Sequence, residues 1–319
     1  MNFKKYNINI DEDLQELCKE RELFTTEPFP HNAFYGISRI LKDYAQIDHK
    51  YSLKAVIPHG VIFNFTSYTN FEIYNNLPFI FCYPNYRKNI YRKKTNKFVI
   101  SFASPYVYLN KMLEPLTRDN ERKGLLFFPA HSTHHLEADM DHEKIANKLS
   151  NLDSEYHPIS ICIYWKDFLN GKHIAYEKRG FKIVSAGHIY DENFLIRLYF
   201  LLSNHKYASS NDIGSSLFYS VKSGCSFFFL EGGNILYKGN PDILSRDHPK
   251  KSIVISDYIY NKFSSPTEKI TQDQIQIVDY FLNSKYLLSP LSLRNLFRIS
   301  EKLFLLRIMS KKILNFSKK

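Results

Sequence analysis

The chain has 319 residues, long enough for two domains of ordinary size. Apolar residues make up 44% of it, which excludes a disordered polymer and provides for two buried cores. Its 43 basic against 32 acidic residues leave a net charge of +11, which favours anionic partners. No nucleic-acid-binding motif occurs, and the excess charge gathers at the C-terminus, so nucleic acid is not an expected partner.

In chain order, a helix is predicted over 11–21, followed by a proline-rich exit at Pro28 and Pro30. Phe34, Ile37, Ile40 and Leu41 recur at helical spacing and predict a helix over 32–44. Apolar runs at 53–57, 79–83 and 98–102 predict buried strands, the first ending in Pro58-His59-Gly60. Helices are expected from 86–91 and over 106–112. Residues 113–123, with Pro115 and a charged run, predict a linker. The second half repeats the alternation more clearly. Strands are predicted over 125–128, 160–164, 181–185, 207–209 and 227–230, and helices over 141–149, 166–179, 193–203 and 272–282. Thr271 and Gln274 have the spacing of a capping box. This pattern argues for an α/β fold with parallel sheets, doubly wound in the second half, whose ligands gather beyond the strand C-termini.

The four cysteines, Cys18, Cys82, Cys162 and Cys225, form no C-x-x-C pair. That spacing excludes a zinc ribbon or thioredoxin-like motif, and buried reduced thiols are expected, as in the cytosol. The first residues lack the apolar segment of a signal peptide. No run reaches the ~20 apolar residues of a membrane span. The tail from 291 to 319 alternates apolar residues with Arg294, Arg298, Lys302, Arg307, Lys311, Lys312, Lys318 and Lys319 against one acid, Glu301. It reads either as a basic amphipathic helix on an anionic membrane surface or as a helix packed on the first domain.

The stretch Ser209-Ser210-Asn211-Asp212-Ile213-Gly214-Ser215-Ser216 is small or polar at seven of eight positions. It joins a strand to a helix expected to begin just after Gly214. The first N–H groups and the dipole of such a helix attract anions, so Ser210, Asn211, Gly214, Ser215 and Ser216 are candidate phosphate ligands. An ordinary N-cap is the plainer alternative. Asp212, being anionic, is expected to cap the helix or fix the loop. His188, after Gly187, and Glu231, before Gly232-Gly233, are candidates for the nucleoside, through the base and the ribose diol. His59, beside Gly60, is a candidate base or phosphate partner. His131, His134 and His135 share one loop, where Glu137, Asp139 or His142 would complete a metal set. The spacing is not H-E-x-x-H, so hydrogen bonding of His131, Ser132 and Thr133 to substrate is expected instead, with no metal or other cofactor. The absence of G-x-G-x-x-G and of G-x-x-x-x-G-K-[ST] argues against a dinucleotide oxidoreductase and a P-loop kinase.

Three segments carry a resemblance: Phe128-Pro129-Ala130-His131-Ser132-Thr133-His134-His135, Ser185-Ala186-Gly187-His188 and the serine-rich loop 209–216. They resemble segments of bacterial GT-B glycosyltransferases of lipopolysaccharide and capsule biosynthesis, and the serine pair is similar to that of the CMP-sugar (sialyl- and Kdo-type) transferases. The acid-acid-Gly motif of the GT-B sialyltransferases is absent from 50–115. Their His-Pro pair has only His157-Pro158 as a literal match, placed before a strand. The resemblance implies two Rossmann-like domains facing a cleft, with an acceptor domain at 1–115, a nucleotide-sugar domain at 116–285 and a basic amphipathic helix at 286–319. It also implies transfer from a nucleotide sugar, CMP-linked by slight preference, to a lipid-linked or oligosaccharide acceptor at the inner face of the cytoplasmic membrane. A sugar-nucleotide epimerase on the same fold and a non-enzymatic binder of polyanionic glycans remain alternatives.

Overall fold

The computed structural model describes residues 6, 8, 12–61, 68–118, 120–133, 135–232, 234–240 and 253–316, with side chains omitted at 253–254 and 311–316. Three short strands form the first sheet: β1 (Ala55–Val56), β2 (Phe79–Cys82) and β3 (Phe98–Ser101), all parallel in the order β1-β2-β3. The second sheet contains β4 (Leu125–Phe128), β6 (Ile159–Cys162), β7 (Lys182–Val184), β8 (Tyr207–Ser210) and β9 (Ser226–Phe229). Its order is β7-β6-β4-β8-β9, again all parallel. The first strand of this unit lies in the middle, and the chain moves outward first to one side and then to the other. That order reverses between β4 and β8, which opens a crevice at their carboxyl ends. A separate antiparallel pair joins β5 (Leu136–Asp139) to β10 (Leu236–Gly239).

Four of the five strands of the second sheet, all but β7, are buried along their whole length. Leu126, Phe128, Ala208, Phe227 and Phe229 enter one core, while Leu125, Phe127, Ile159, Ile161, Tyr207 and Phe228 enter a smaller one on the other face. The first core continues into the first sheet through α2 (Ile37–Ala45), α5 (Pro105–Thr117) and α9 (Phe194–Asn204). The Tyr106 ring of α5 stacks at 4.1 Å on Tyr219, and its hydroxyl lies 2.6 Å from that of Ser223. Beyond the second sheet, α12 (Gln272–Leu282) starts with the expected capping box, Thr271 and Gln274 each bonding the other's backbone. Asn283 then donates to the carbonyl of Phe102 at 3.0 Å, returning the chain to the first sheet. The final helix, α13 (Pro290–Phe316), buries Leu293 and Phe297 alongside α2.

Several element boundaries differ from the sequence expectation. The helix expected over 11–21 is observed at α1 (Leu14–Cys18) only. The helix expected over 32–44 breaks at Tyr35 and Gly36, both at positive φ (58° and 76°), and α2 starts after them. A side chain at Gly36 would meet the Glu192 carbonyl oxygen at 2.1 Å, so glycine is required where this turn crosses the second half. The linker expected at 113–123 is helical to Thr117, with Pro115 inside α5. The helix expected over 166–179 divides into α7 (Trp165–Leu169) and α8 (Ile174–Glu177) around Gly171, whose φ is +71°. The four cysteines are free and buried.

Candidate active site

The strand ends of the two sheets meet at one place. Helix α10 (Ser215–Lys222) begins directly after Gly214, which takes the N-cap position in an extended conformation. No side-chain hydrogen bond caps this end. Facing it is the turn after β1. The Val61 amide donates to the Ser215 hydroxyl at 3.1 Å, and a Cβ on Gly60 would stand 3.6 Å from that oxygen. His59 therefore stands one residue from the contact and is exposed.

A line of aromatic groups extends from His59 across the crevice. His59 stacks on His31 at 5.7 Å and meets Phe34 at 5.3 Å and Tyr35 at 6.1 Å. The Tyr35 side chain lies beside that of Tyr164, just past the end of β6. The Tyr164 ring in turn lies 4.5 Å from that of His131, just past β4. Both expected histidines and Ser215 thus border one continuous polar aromatic strip. The strip is held by the Tyr35 amide, which donates to the Ile189 carbonyl at 2.7 Å, and by Arg39, which pairs with Glu192 at 2.9 Å.

Burial sets the protonation states here. It pushes the Tyr164 and Tyr219 phenols up to about 12, Tyr219 being partly relieved by hydrogen bonds with Ser215 and Ser104. It raises Tyr35 further and lowers His31. The tyrosines are therefore neutral hydrogen-bonding groups near pH 7. His131 holds its Nδ1 2.8 Å from the Ser132 carbonyl. Nδ1 then carries the proton, and Nε2 is left as the acceptor.

Other expected ligands serve the framework. Ser210 is buried, and its hydroxyl accepts from the Asp212 amide at 3.2 Å. Asn211 bridges the β4 and β8 loops, accepting from the Ala130 amide at 2.8 Å and donating to the Met140 sulfur at 3.2 Å. Asp212 fixes the loop and does not cap the helix: its carboxylate accepts from the Ile213 amide and from the hydroxyls of Tyr237 and Tyr260. Ser132 is buried against Asp167 and does not face a ligand, and Thr133 Oγ1 accepts from the Leu136 amide. His188 is wholly buried, with the Trp165 ring at 4.1 Å, so its side chain presents no surface to a nucleoside. Glu231 is exposed beyond the edge strand β9, where its carbonyl receives the Lys148 ammonium at 2.6 Å, to the side of the β4–β8 crevice. Ser216 is half-buried in the first turn of α10.

His134 and Gly233 lie outside the described residues. Among the described residues, no three His, Cys, Asp or Glu side chains converge as metal ligands. A separate groove of about 370 Å³ between α12 and the preceding helix, α11 (Ile253–Lys262), is lined by Tyr258, Ile277 and Tyr280 and by none of the expected site residues. Tyr35, Tyr164 and His31 were missing from the sequence expectation. Tyr164 falls inside the strand expected over 160–164, whereas β6 ends at Cys162 and leaves it in the loop beyond. No family model, curated protein or solved structure matches this chain.

Proposed function

We propose that the protein is a glycosyltransferase of the GT-B type. It would move a sugar from a nucleotide donor, CMP-linked by preference, to a lipid-linked or oligosaccharide acceptor of lipopolysaccharide or capsule. In this reading, residues 1–115 receive the acceptor and 116–285 the donor, and 286–319 form a basic helix that rests on the inner face of the cytoplasmic membrane. The observation that carries it is the meeting of the uncapped α10 N-terminus with the His59-Gly60 turn from the other sheet. A donor phosphate at that terminus would receive N–H groups and the hydroxyls of Ser215 and Ser216, which stabilise the leaving nucleotide without a metal. His59 would take the acceptor proton or contact the phosphate, with His131 across the strip.

A thermal-shift panel of CMP, CDP, UDP, GDP and dTDP tests the reading. CMP at a hundredfold excess over its Kd should raise Tm by roughly 5 °C, with or without Mg²⁺. A shift with a diphosphate instead keeps the transferase and discards the CMP donor. If none of the five moves Tm, the nucleotide reading fails.

Ser216→Ala should weaken that CMP shift and lower turnover about tenfold, the scale of one hydrogen bond to a charged group. Unchanged turnover would show that the phosphate lies elsewhere.

A further inference from the structure

A group of polar side chains stands at the carboxyl edge of the first sheet, outside the His31–His59 strip. Asn85 follows β2, Lys88 lies in the first turn of α4 (Arg87–Arg92), and Ser101 ends β3. All three are half-buried. The Lys88 ammonium donates to the Ser101 hydroxyl at 3.1 Å, and that hydroxyl donates to the Asn85 side-chain oxygen at 2.6 Å. An ammonium has three N–H donors and a carboxamide two, so both Lys88 and Asn85 retain donors that this chain of bonds does not use. The group adjoins the turn that carries His59. The Tyr83 hydroxyl, two residues before Asn85, donates to the carbonyl of Pro58 at 2.8 Å. The strand order is β1-β2-β3, and adjacent strands lie ~4.8 Å apart, so the end of β3 stands about 10 Å from the end of β1.

The charge here is not balanced from within the chain. Other lysines of the fold pair with acids: Lys42 with Glu27 at 2.6 Å, Lys172 with Asp167 at 2.8 Å and Lys222 with Asp279 at 2.8 Å. Lys88 meets a hydroxyl instead, and no carboxylate among the described residues pairs with it. Glu72 of α3 (Asn70–Ile73) is buried and committed inward, accepting from the Tyr91 hydroxyl at 3.0 Å and facing Arg87 at 4.0 Å. Further along, Arg92, Lys93 and Lys94 are exposed. Burial pushes the Cys82 thiol at the end of β2 up to about 11, and the positive charges of Arg87, Lys88 and Arg92 act against that rise. The end of β2 therefore lies in a positive field.

We infer that Asn85, Lys88 and Ser101 form a subsite for an oxyanion, a phosphate or a carboxylate, on a molecule whose other end reaches His59. An ammonium and a carboxamide N–H are the donors such a group takes, and charge-assisted bonds of this kind are the strong ones. With no acid paired to Lys88, the balancing negative charge comes from the bound molecule. Assigning that molecule as the acceptor rests on the proposed function. There the anion is the phosphate of a lipid-linked acceptor or the carboxylate of an acidic sugar. Anion binding at this place does not depend on that reading.

Ligand-observed NMR titration of the full chain tests it, with glucose 1-phosphate, glucuronate and neutral glucose as probes and CMP present throughout. One or both anionic probes should bind and glucose should bind much more weakly, with anion binding falling as salt rises. Tighter binding of glucose 1-phosphate identifies a phosphate group, and tighter binding of glucuronate a carboxylate. Lys88→Met should weaken the anionic probe about tenfold, the scale of one hydrogen bond to a charged group, and should abolish most of the salt dependence. It keeps the apolar stem of a half-buried side chain, so circular dichroism and the urea midpoint should match the parent's. The CMP shift should persist in Lys88→Met, which separates failure of this subsite from failure of the nucleotide reading. Anion affinity equal to the parent's in a folded Lys88→Met overturns the inference. So does a parent that binds neither anionic probe more tightly than glucose.

Discussion

His59→Ala lowers kcat by about 10²–10⁴ while the Tm increase produced by CMP persists, if His59 is the proton acceptor. The split between the two readouts is what makes the experiment informative. His59 lies on the turn that contacts Ser215, but the phosphate donors themselves belong to α10. Removing the imidazole should therefore spare donor binding and remove proton transfer. The ring is exposed and makes stacking contacts with His31 and Phe34, so its loss costs on the order of 1 kcal/mol of stability at most. His131 is the competing base, with its Nε2 available as acceptor once Nδ1 donates to the Ser132 carbonyl. A decrease in kcat of less than about fivefold in His59→Ala, with a large decrease in His131→Ala, would move the role across the strip.

The second sheet was the most legible part of the chain. Four of its five strands are buried along their whole length, and β4 reads as an unbroken apolar run. The start of α10 was equally legible, because Gly214 follows a run of residues that favour turns over helix. Strand order was not legible, and neither was the approach of Gly60 to Ser215, since 155 positions separate them and no local pattern encodes the contact. The β5–β10 pair joins segments about a hundred residues apart and escaped for the same reason. Tyr35 escaped for a different one. The apolar spacing around it is helical, but it adopts φ +58°, and its backbone bonds Ile189 instead of continuing the helix. Tertiary contacts override a local preference worth only tenths of a kcal/mol per residue. His188 was placed correctly at the end of its strand. It was misjudged in exposure, because Trp165, on the neighbouring strand's helix, covers it.

Asp167→Ala should destabilise the fold by about 3–5 kcal/mol and displace the His131 loop. Asp167 is 1% exposed. One carboxylate oxygen accepts from the Ser132 amide at 2.8 Å, and the other accepts from the Ser132 hydroxyl at 2.7 Å and pairs with Lys172 at 2.8 Å. Lys172 also donates to the Ala138 carbonyl at 2.7 Å, which ties the base of the loop to β5. Alanine would leave the lysine ammonium with two neutral acceptors in a mostly buried position, and would free both Ser132 donors at once. Removing one partner of a buried pair costs more than the pair is worth, because the remaining charge stays desolvated. The double variant Asp167→Ala/Lys172→Met separates these effects, since it deletes the stranded charge and keeps much of the lysine's apolar stem. Urea unfolding should give the single variant a markedly lower midpoint and the double variant a midpoint nearer the parent's. Turnover should not follow that recovery. The Ser132 donors remain without their acceptor in both variants, so the loop that carries His131 stays displaced, and kcat should remain low even where stability returns. Recovery of kcat together with the urea midpoint would mean that Asp167 matters to this site only through the overall stability of the fold.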